Sequence, residues 1–194
     1  MTSTPRRVER FRSVISRRQR DLTLVLENIH DPHNVSAILR SCDAVGILGV
    51  ELLYTVEKFP KLGRKSSSSA SKWIERRKHT EVAACYAALR QEGFRILATQ
   101  VADDAPSLYD LDLTGPVAIV LGNEHRGVSN EAALAADATF RVPMAGMIES
   151  LNVSVAAAVC VFEAYRQRLR KETLTSSSLR PGDQTKFLQD WLKR

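Results

Sequence analysis

The chain has 194 residues and a formal net charge of +6, with 44% hydrophobic and 26% charged residues. This composition is typical of an ordinary soluble globular protein and excludes a disordered chain, and the length fits one domain with short additions or two small domains at most. No apolar run approaches the ~20 residues of a membrane span, and the arginine-rich N-terminus has no apolar core like that of a secretory signal. Three cysteines far apart in the sequence favour a reducing cytosol over a disulfide framework or a zinc site.

The charge is segregated along the chain. Residues 1–20 carry a net charge of +6, residues 58–78 carry +7 and residues 163–194 carry +4, whereas residues 21–57 carry −5 and residues 79–162 carry −6. Basic ends and one basic internal stretch therefore flank two acidic, apolar blocks. This pattern predicts a neutral or acidic core with cationic arms for a polyanion.

The first part of the chain alternates between helical and β-type patterns. Apolar spacing within residues 5–20 predicts a short amphipathic helix with a cationic face. Residues 22–26 are a compact β-type run, residues 36–45 a predicted helix and residues 50–54 a second strand. The basic, serine-rich residues 57–79 are predicted to form an exposed loop, and the simplest interpretation is a flexible solvated linker.

The same alternation continues to the end of the chain and defines the fold class. The later predictions are a helix at 81–92, a strand at 95–101, an acidic connection at 103–112, a strand at 117–121, a helix at 130–136, a strand at 139–142, a long helix at 150–171, a linker at 173–181 and a helix at 185–192. The continuous apolar run of strand 117–121 indicates burial on both faces, as in a parallel sheet. The predicted class is therefore α/β with a mainly parallel sheet.

Ligands of parallel α/β sheets bind beyond the carboxyl ends of the strands, where this chain has three polar loops. The first loop, residues 27–34, is followed by Arg40 on the next predicted helix. An arginine in that position is suited to hold a phosphate, because its guanidinium group can donate two parallel hydrogen bonds. The alternative, a surface arginine with Asn34 as a simple helix cap, is equally compatible with the sequence.

The second and third loops are less specific when each is taken alone. Residues 121–129 hold two glycines, which let the backbone approach a ligand closely, and Glu124 follows a strand. In the third loop, Ser150 and Asn152 open a very apolar helix whose free N–H groups favour polar or anionic atoms. Simple N-capping by Ser150 is the alternative. The usual glycine-rich nucleotide-binding and hydrolase motifs are absent from the sequence.

Two further groups of residues have competing interpretations. His30 and His33 flank a proline without a cysteine or third histidine nearby, so plain loop histidines or RNA contacts are favoured over a zinc site. Lys72 and Trp73 precede a basic cluster and could contact a phosphate and stack on a base, but a core role for Trp73 is at least as well supported.

Taken together and in this order, the three loops resemble the motifs of the SpoU (TrmH-type) branch of the SPOUT RNA 2′-O-methyltransferases. The segments that carry the resemblance are L-E-N-I-H-D-P-H-N-V-S-A-I-L-R at 26–40, I-V-L-G-N-E-x-x-G-V-S at 119–129 and V-P-M-x-G-M-x-x-S-L-N-V-S-x-A-x-A at 142–158. The resemblance runs from about residue 17 to residue 170. The compact terminal extensions resemble those of the branch members that methylate guanosine 18 in the D-loop of tRNA.

The resemblance implies an architecture that composition and periodicity do not show. Residues 21–171 would form the catalytic domain, with helices on both faces of the sheet and a deep trefoil knot at approximately 117–165. Residues 1–20 would be a basic helical extension, and residues 172–194 a linker and a helix. The family acts as a homodimer with the active site completed across the interface, and a cytoplasmic location is expected.

The resemblance also implies the chemistry and the residues that perform it. S-adenosylmethionine would be the methyl donor, no metal would be needed, and tRNA would be the partner. Arg40 would clamp the phosphate beside the target ribose and stabilise the developing alkoxide, aided by Asn34. Glu124, Ser150 and Asn152 would shape the site. The donor would be held by Thr99, Gln100, Val101, Gly122, Val142, Met144 and Leu151. The RNA contacts would be Arg7, Arg10, Arg17, Arg18, His33, Lys72, Arg166 and Arg168.

Three hypotheses about function follow. The first is methylation of guanosine 18 in tRNA, and the second is an enzyme of the same branch that acts on ribosomal RNA or on the wobble nucleotide. The terminal extensions favour the first, because wobble enzymes are usually bare catalytic domains. The third is a non-catalytic RNA-binding module, whose expected mark is the loss of Asn34, Arg40, Glu124 or Asn152. All four residues are present.

Overall fold

A six-stranded parallel sheet forms the centre of the molecule, in the order β3-β2-β1-β5-β4-β6. The computed structural model describes residues 4–61, 70–102, 104–171, 179 and 181–194. The strands are β1 (Leu22–Glu27), β2 (Gly49–Leu53), β3 (Glu75–His79), β4 (Arg95–Thr99), β5 (Val117–Leu121) and β6 (Ala138–Phe140). β1 and β5 are buried along their whole length, as the continuous apolar run of β5 predicted, and β1 also buries the polar residues Thr23 and Glu27.

Helices cover both faces of the sheet. They are α1 (Pro5–Ile15), α2 (Pro32–Val45), α3 (Val82–Gln91), α4 (Asn130–Ala135), α5 (Val153–Arg170) and α6 (Pro181–Leu192). One core lies between the sheet and the apolar faces of α2 and α5, and a second lies between the sheet and α3 with α4. The predicted α/β class, the parallel sheet and the helices on both faces are confirmed. None of the described helices is long and apolar enough to span a bilayer.

The two terminal helices pack on each other through a cluster of aromatic rings. The ring of Phe11 lies 5.3 Å from that of Trp73 and 5.7 Å from that of Trp191, and the two tryptophan rings are 4.9 Å apart. Trp73 is therefore a packing anchor between α1 and α6, and the alternative of a base-stacking surface residue is wrong. The predicted linker at 173–181 falls mostly outside the described residues.

The largest error of the predicted elements is β3, which lies inside the predicted exposed loop at 57–79. Its five residues are almost entirely charged and show no apolar alternation, so no β pattern was visible. β3 pairs with β2 at the edge of the sheet, where Arg77 and His79 bind the buried carboxylate of Glu51 at 2.7 Å each. A partner strand with a buried acid, rather than apolar periodicity, therefore determines this strand. Residues 62–69 of the predicted loop lie outside the described part.

Candidate active site

The carboxyl ends of β1 and β5 lie side by side in the centre of the sheet. The chain leaves β1 toward β2 on one side, whereas β4 and β6 lie on the other side of β5. This is the switch in strand order at which open parallel sheets bind their ligands. Both the loop after β1 and the loop after β5 begin here, as the sequence predicted for two of the three polar loops.

Glu124, three residues beyond β5, joins these two loops. Its carboxylate accepts hydrogen bonds from the backbone N–H groups of His30 and Asp31 at 2.9 and 3.1 Å and from Asn34 Nδ2 at 2.8 Å. Partial burial favours a higher pKa for Glu124, but these hydrogen bonds outweigh it and hold the pKa below its ordinary value. The group is therefore a carboxylate at neutral pH, and it fixes the loop after β1.

Asn34 extends this contact to the third motif. Its Oδ1 accepts a hydrogen bond from Asn152 Nδ2 at 3.2 Å, and Asn152 Oδ1 accepts from the backbone N–H and the hydroxyl of Ser154 at 2.9 and 2.6 Å. Three segments that are far apart in the sequence thus meet through Glu124, Asn34 and Asn152. These three predicted site residues are brought together.

The start of α2 differs from the prediction and explains the position of Asn34. The helix begins at Pro32, four residues earlier than predicted, and Asp31 is its N-cap, which accepts from the N–H of His33 at 2.8 Å. Proline fits the first helical turn, where its missing N–H has no partner to lose. Asn34 is therefore not the cap. It lies in the first turn, and its side chain is available for the contacts described above.

Arg40 lies on the same helix but is not linked to this cluster. Its side chain is exposed and has no hydrogen bond or ion pair with any residue that the structure describes. Six residues of α-helix separate it from Asn34 by about 9 Å along the axis. An exposed cation with no partner among the described residues is available for an anionic ligand.

Gly122 and the turn that follows it are fixed by close backbone packing. A Cβ atom on Gly122 would overlap the backbone of Gly127 and Val128. Asn123 and Gly127 exchange two backbone hydrogen bonds at 3.0 and 2.9 Å, and the Asn123 side chain donates to the carbonyl of Asn28 at 2.7 Å. Glycine at 122 is therefore a packing requirement of this turn, which positions Glu124.

Asn28 has a positioning role that the sequence analysis did not assign. Its backbone is left-handed, with a φ of 51°, a conformation that asparagine tolerates better than most residues. Its Oδ1 accepts the N–H groups of Thr55, Val56 and Glu57 at 3.0 to 3.1 Å, which ties the loop after β2 to the loop after β1. The available signal was an asparagine directly after a buried strand.

The segment before α5 is neither helix nor strand and makes few contacts. From residue 142 to residue 151, no backbone N–H or C=O group bonds to any of the described residues. Ser150 is exposed, and α5 begins at Val153 with Asn152 as its N-cap, so the alternative of capping by Ser150 is wrong. Unpaired backbone groups in a segment that leads from β6 to the Asn152 contact are suited to bind a ligand through the main chain.

The other residues predicted to hold the donor lie at the end of β4, after β6 and just before α5. Thr99 ends β4, and its hydroxyl donates to the carbonyl of Val120 at 3.0 Å. The N–H of Gln100 donates to the carbonyl of Phe140 at 2.8 Å, and Val101 is largely exposed. Met144 and Leu151 are half-buried, and Val142 packs against the core. Among the described residues, no group of three His, Cys, Asp or Glu side chains could hold a metal ion.

Two of the predicted RNA contacts, Arg18 and Arg168, are wrong. Their side chains are 1% and 2% exposed. Arg18 forms an ion pair with Asp43 and donates to the carbonyl of Ile47 at 2.9 Å. Arg168 donates to Asp21 Oδ1 at 2.8 Å and to the backbone carbonyls of Asp21, Leu113 and Gly115. Their charges hold the molecule together, so neither guanidinium can reach a phosphate.

The remaining predicted RNA contacts are exposed: Arg7, Arg10, Arg17, His33, Lys72 and Arg166. Arg166 forms an ion pair with Glu163 at 2.7 Å, and the Arg17 side chain donates to Ser13. Arg7 lies over the ring of Phe11 at 5.2 Å. Exposure leaves these cations accessible to a polyanion, and their role in RNA binding stays a prediction.

Comparison with known proteins identifies the family. The model of the SpoU rRNA Methylase family matches residues 21–162. The tRNA (guanosine(18)-2′-O)-methyltransferase of Thermus thermophilus is 44% identical over 191 residues, which cover 98% of both chains. The A. aeolicus TrmH/SpoU tRNA modifying enzyme has a similar structure, with a TM-score of 0.90 and 35% identity over 97% of this chain and 95% of that one. The AviRb methyltransferase of Streptomyces viridochromogenes in complex with the cofactor AdoMet has a TM-score of 0.69 at 26% identity and covers 81% of this chain and 61% of that one. The chain therefore belongs to the SpoU rRNA methylase family.

Proposed function

We propose that the protein transfers a methyl group from S-adenosylmethionine to the ribose 2′-hydroxyl of guanosine 18 in tRNA. The observation that carries the proposal is the chain of hydrogen bonds from Glu124 through Asn34 to Asn152, which joins three motif segments at the carboxyl edge of the sheet. The near full-length similarity to relatives that carry this activity supports the choice of substrate. Because the match with such a relative covers 98% of both chains, it includes the terminal helices, and this favours tRNA over ribosomal RNA.

The residues of the site fit S-adenosylmethionine. The unpaired backbone groups of residues 142–151 offer donors and acceptors for the polar edges of the ligand, without a charged side chain that would repel its sulfonium group. Thr99 ends β4, Gln100 and Val101 follow it, and β4 pairs with β6, the strand that precedes this segment. Gly122 allows close packing of the turn after β5. When bound, S-adenosylmethionine supplies an electrophilic methyl group. Val142, Met144 and Leu151 would form the apolar part of its pocket.

The side chains of this protein would then prepare the RNA for attack. Arg40 binds the phosphate next to the target ribose and stabilises the negative charge that develops on the 2′-oxygen. It does so as a cation, because a guanidinium group stays protonated in proteins, and the proton passes to the phosphate or to water. Asn34 and Asn152, held by Glu124, orient the ribose, and the exposed hydroxyl of Ser150 lies two residues from this contact.

We also propose that residues 117–165 form a trefoil knot within a catalytic domain of residues 21–171, flanked by terminal extensions at 1–20 and 172–194. The path of the chain supports this. After β6, at the edge of the sheet, Arg141 exchanges backbone hydrogen bonds with Pro106 and Leu108 at 2.9 and 2.8 Å. The chain then returns to the centre of the sheet, where α5 packs beside α2 in the same core.

We propose further that two copies of the chain form a dimer through α5 and the segment before it. Val155, Phe162 and Leu169 are 48%, 50% and 50% exposed and recur every seven residues, so they form one apolar stripe on α5. Met147 and Ile148 are 100% and 61% exposed and precede this helix. Such a contiguous apolar surface favours burial against a partner. A second copy would also bring its own exposed arginines near the site. We also propose that the protein acts on its tRNA in the cytoplasm.

The decisive test is to map the methylated nucleotide. A tRNA transcript incubated with the enzyme and labelled S-adenosylmethionine should gain one methyl group at the 2′-oxygen of guanosine 18, as read by mass spectrometry of nuclease fragments. Transcripts with guanosine 18 replaced by adenosine serve as the control and should remain unmodified. Methylation at the wobble nucleotide, or of ribosomal RNA alone, would assign the enzyme to another substrate of the same family. Binding of tRNA without any transfer would support a non-catalytic module.

A further inference from the structure

A second arginine lies close to Glu124, on the turn after β5. Arg126 lies on the turn between Asn123 and Gly127, two residues after Glu124. The side chain of Asn123 accepts the N–H groups of His125 and Arg126 at 2.9 and 3.3 Å. The backbone of Arg126 is therefore fixed by the same turn that positions Glu124.

The side chain of Arg126 is held by Glu57, from the loop after β2. Arg126 Nη2 donates to Glu57 Oε1 at 2.8 Å, and His30 Nδ1 lies 3.6 Å from Glu57 Oε2. The backbone N–H of His30 in turn donates to Glu124. These contacts link Glu124, His30, Glu57 and Arg126 in series, and the backbone from Glu124 to Arg126 closes the ring. The hydrogen bond from Arg126 lowers the pKa of Glu57, so this carboxyl is charged at neutral pH.

The loop that carries Glu57 is itself fixed, which distinguishes this ion pair from an ordinary surface pair. Asn28 Oδ1 accepts the N–H of Glu57 at 3.1 Å, and Asn28 belongs to the first motif. An exposed pair between two mobile side chains contributes little, because the two side chains lose conformational freedom. Here the backbones at both ends are positioned by asparagine side chains, so the pair gives the guanidinium group a defined direction.

Only one edge of the guanidinium group is used. Its other N–H groups have no hydrogen-bond partner among the described residues, and the side chain is 58% exposed. One carboxylate orients this arginine, and its remaining donors face solvent. It can therefore donate hydrogen bonds to a phosphate in a preset geometry, at a smaller entropic cost than a free arginine. Arg40 has no such partner among the residues that the structure describes, so only Arg126 is oriented before a ligand binds.

We propose that Arg126 is a second phosphate-binding residue for the RNA substrate, in addition to Arg40, and that Glu57 is its positioning residue. The ligand is a phosphodiester of the RNA backbone at or next to the target nucleotide. This inference rests on the proposed function, since it assumes that an RNA strand enters at this edge of the sheet. Glu57 orients Arg126 before the RNA arrives, and Arg126 keeps this contact while its free edge binds the phosphate.

The test compares Arg126→Gln with a matched control, Arg90→Gln, in the full-length protein. Arg90 forms an ion pair of the same length, 2.8 Å, with Asp137 and is 47% exposed. It lies on α3, away from the three motif loops. We expect Arg126→Gln to raise the KM and the Kd for a tRNA transcript about 10-fold and to reduce the slope of log Kd against log salt by about 1. The change in kcat should be smaller than twofold, and Arg90→Gln should match the wild type.

Two further variants separate phosphate binding from a merely structural ion pair. Arg126→Lys keeps the charge but not the planar guanidinium group, and it should recover only part of the affinity. The double variant with Glu57→Arg and Arg126→Glu restores an ion pair of opposite polarity. It should bind tRNA more weakly than Arg126→Gln does. Recovery of wild-type affinity by this double variant would overturn the proposal, because the ion pair alone would then be sufficient.

Other outcomes separate this inference from the proposed function. An unchanged KM and salt slope for Arg126→Gln, with normal methyl transfer by the wild type, would overturn the role of Arg126 alone. A change in the Kd for S-adenosylmethionine without a change for tRNA would also overturn it, since the ligand would then be the donor. If the wild type transfers no methyl group to tRNA, the proposed function fails. The Kd and salt-slope measurements on tRNA still decide whether Arg126 contacts a phosphate.

Discussion

Arginines occur both in the elements that begin at the carboxyl edge of the sheet and in the region around the terminal helices. In the first region they are exposed, whereas in the second two of them are buried and bind the protein itself. Around the terminal extensions, Arg18 and Arg168 are buried, and their donors bind carboxylates and carbonyls of the protein. On α2, Arg40 is exposed without a partner among the described residues, and on the loop after β5 Arg126 makes one hydrogen bond, to Glu57. A guanidinium group thus serves either to join segments or to meet a ligand, and residue type does not distinguish the two roles.

The largest expected effect concerns the buried arginines, which join segments of the protein. Arg168→Ala should lower the free energy of unfolding by about 3–5 kcal/mol, because it leaves the carboxylate and carbonyls that Arg168 binds without their donor. For a chain of this size that corresponds to a fall in Tm of roughly 10–15 °C. Arg166→Ala, two residues earlier on the same helix, removes only a partly exposed pair with Glu163 and should cost ~0–1 kcal/mol. Thermal and urea unfolding of both variants measure the difference, and equal losses would refute the distinction.

The second prediction concerns an exposed arginine, Arg40, which is available for a ligand. Arg40→Ala should reduce kcat for methyl transfer to tRNA by ~10²- to 10³-fold, the effect typical of removing one donor from a developing negative charge. Its Tm should match the wild type, because Arg40 is exposed and makes no hydrogen bond or ion pair with the described residues. Arg40→Lys keeps the charge and should restore part of the rate. A near-normal kcat for Arg40→Ala with tRNA in excess would show that Arg40 is not catalytic.

The third prediction concerns the exposed arginines of the N-terminal extension. Removal of residues 1–20 would also remove Phe11 and Ile15 from the core, as well as the buried Arg18, so point substitutions are the cleaner test. Replacement of Arg6, Arg7 and Arg10 by glutamine should weaken tRNA binding and reduce the salt slope by about 2. Filter binding at several salt concentrations measures both. A slope equal to that of the wild type would mean that these arginines do not contact the RNA.

The smallest expected effect concerns the pH dependence of Glu124. Its pKa is lowered in the folded protein, so its contacts contribute stability above the ordinary carboxyl pKa of 4.5, and this contribution is lost as the pH falls through the lowered value. Glu124→Gln should therefore be less stable than the wild type at pH 7, and the difference should shrink below about pH 4.5. Urea unfolding across this range measures the trend. A difference that is constant with pH would contradict the charged state assigned to Glu124.

The comparison also explains why the site was easier to predict than its surroundings. Glu124, Asn34 and Asn152 lie in loops that follow strands or open a helix, and parallel strands bring such loops to one edge. Their position followed from the alternation of elements together with the family resemblance. Asn28, Glu57 and Arg126 were not assigned roles, because their contacts depend on the left-handed backbone at Asn28 and on a loop after a different strand. Contacts between loops that are distant in the sequence cannot be predicted from the local sequence of either loop.

The sequence by itself determined the α/β class, the buried central strands and the three motif segments, because apolar periodicity and strand-end composition are local properties. Only the tertiary structure decided which charges are internal. β3 is a strand because Glu51 of β2 binds its Arg77 and His79, and Arg168 is buried because α5 ends beside the carboxylate of Asp21. Whether a charged side chain faces water or a partner depends on the elements packed against it. That information lies in the contacts between distant segments and not in the residue or its neighbours.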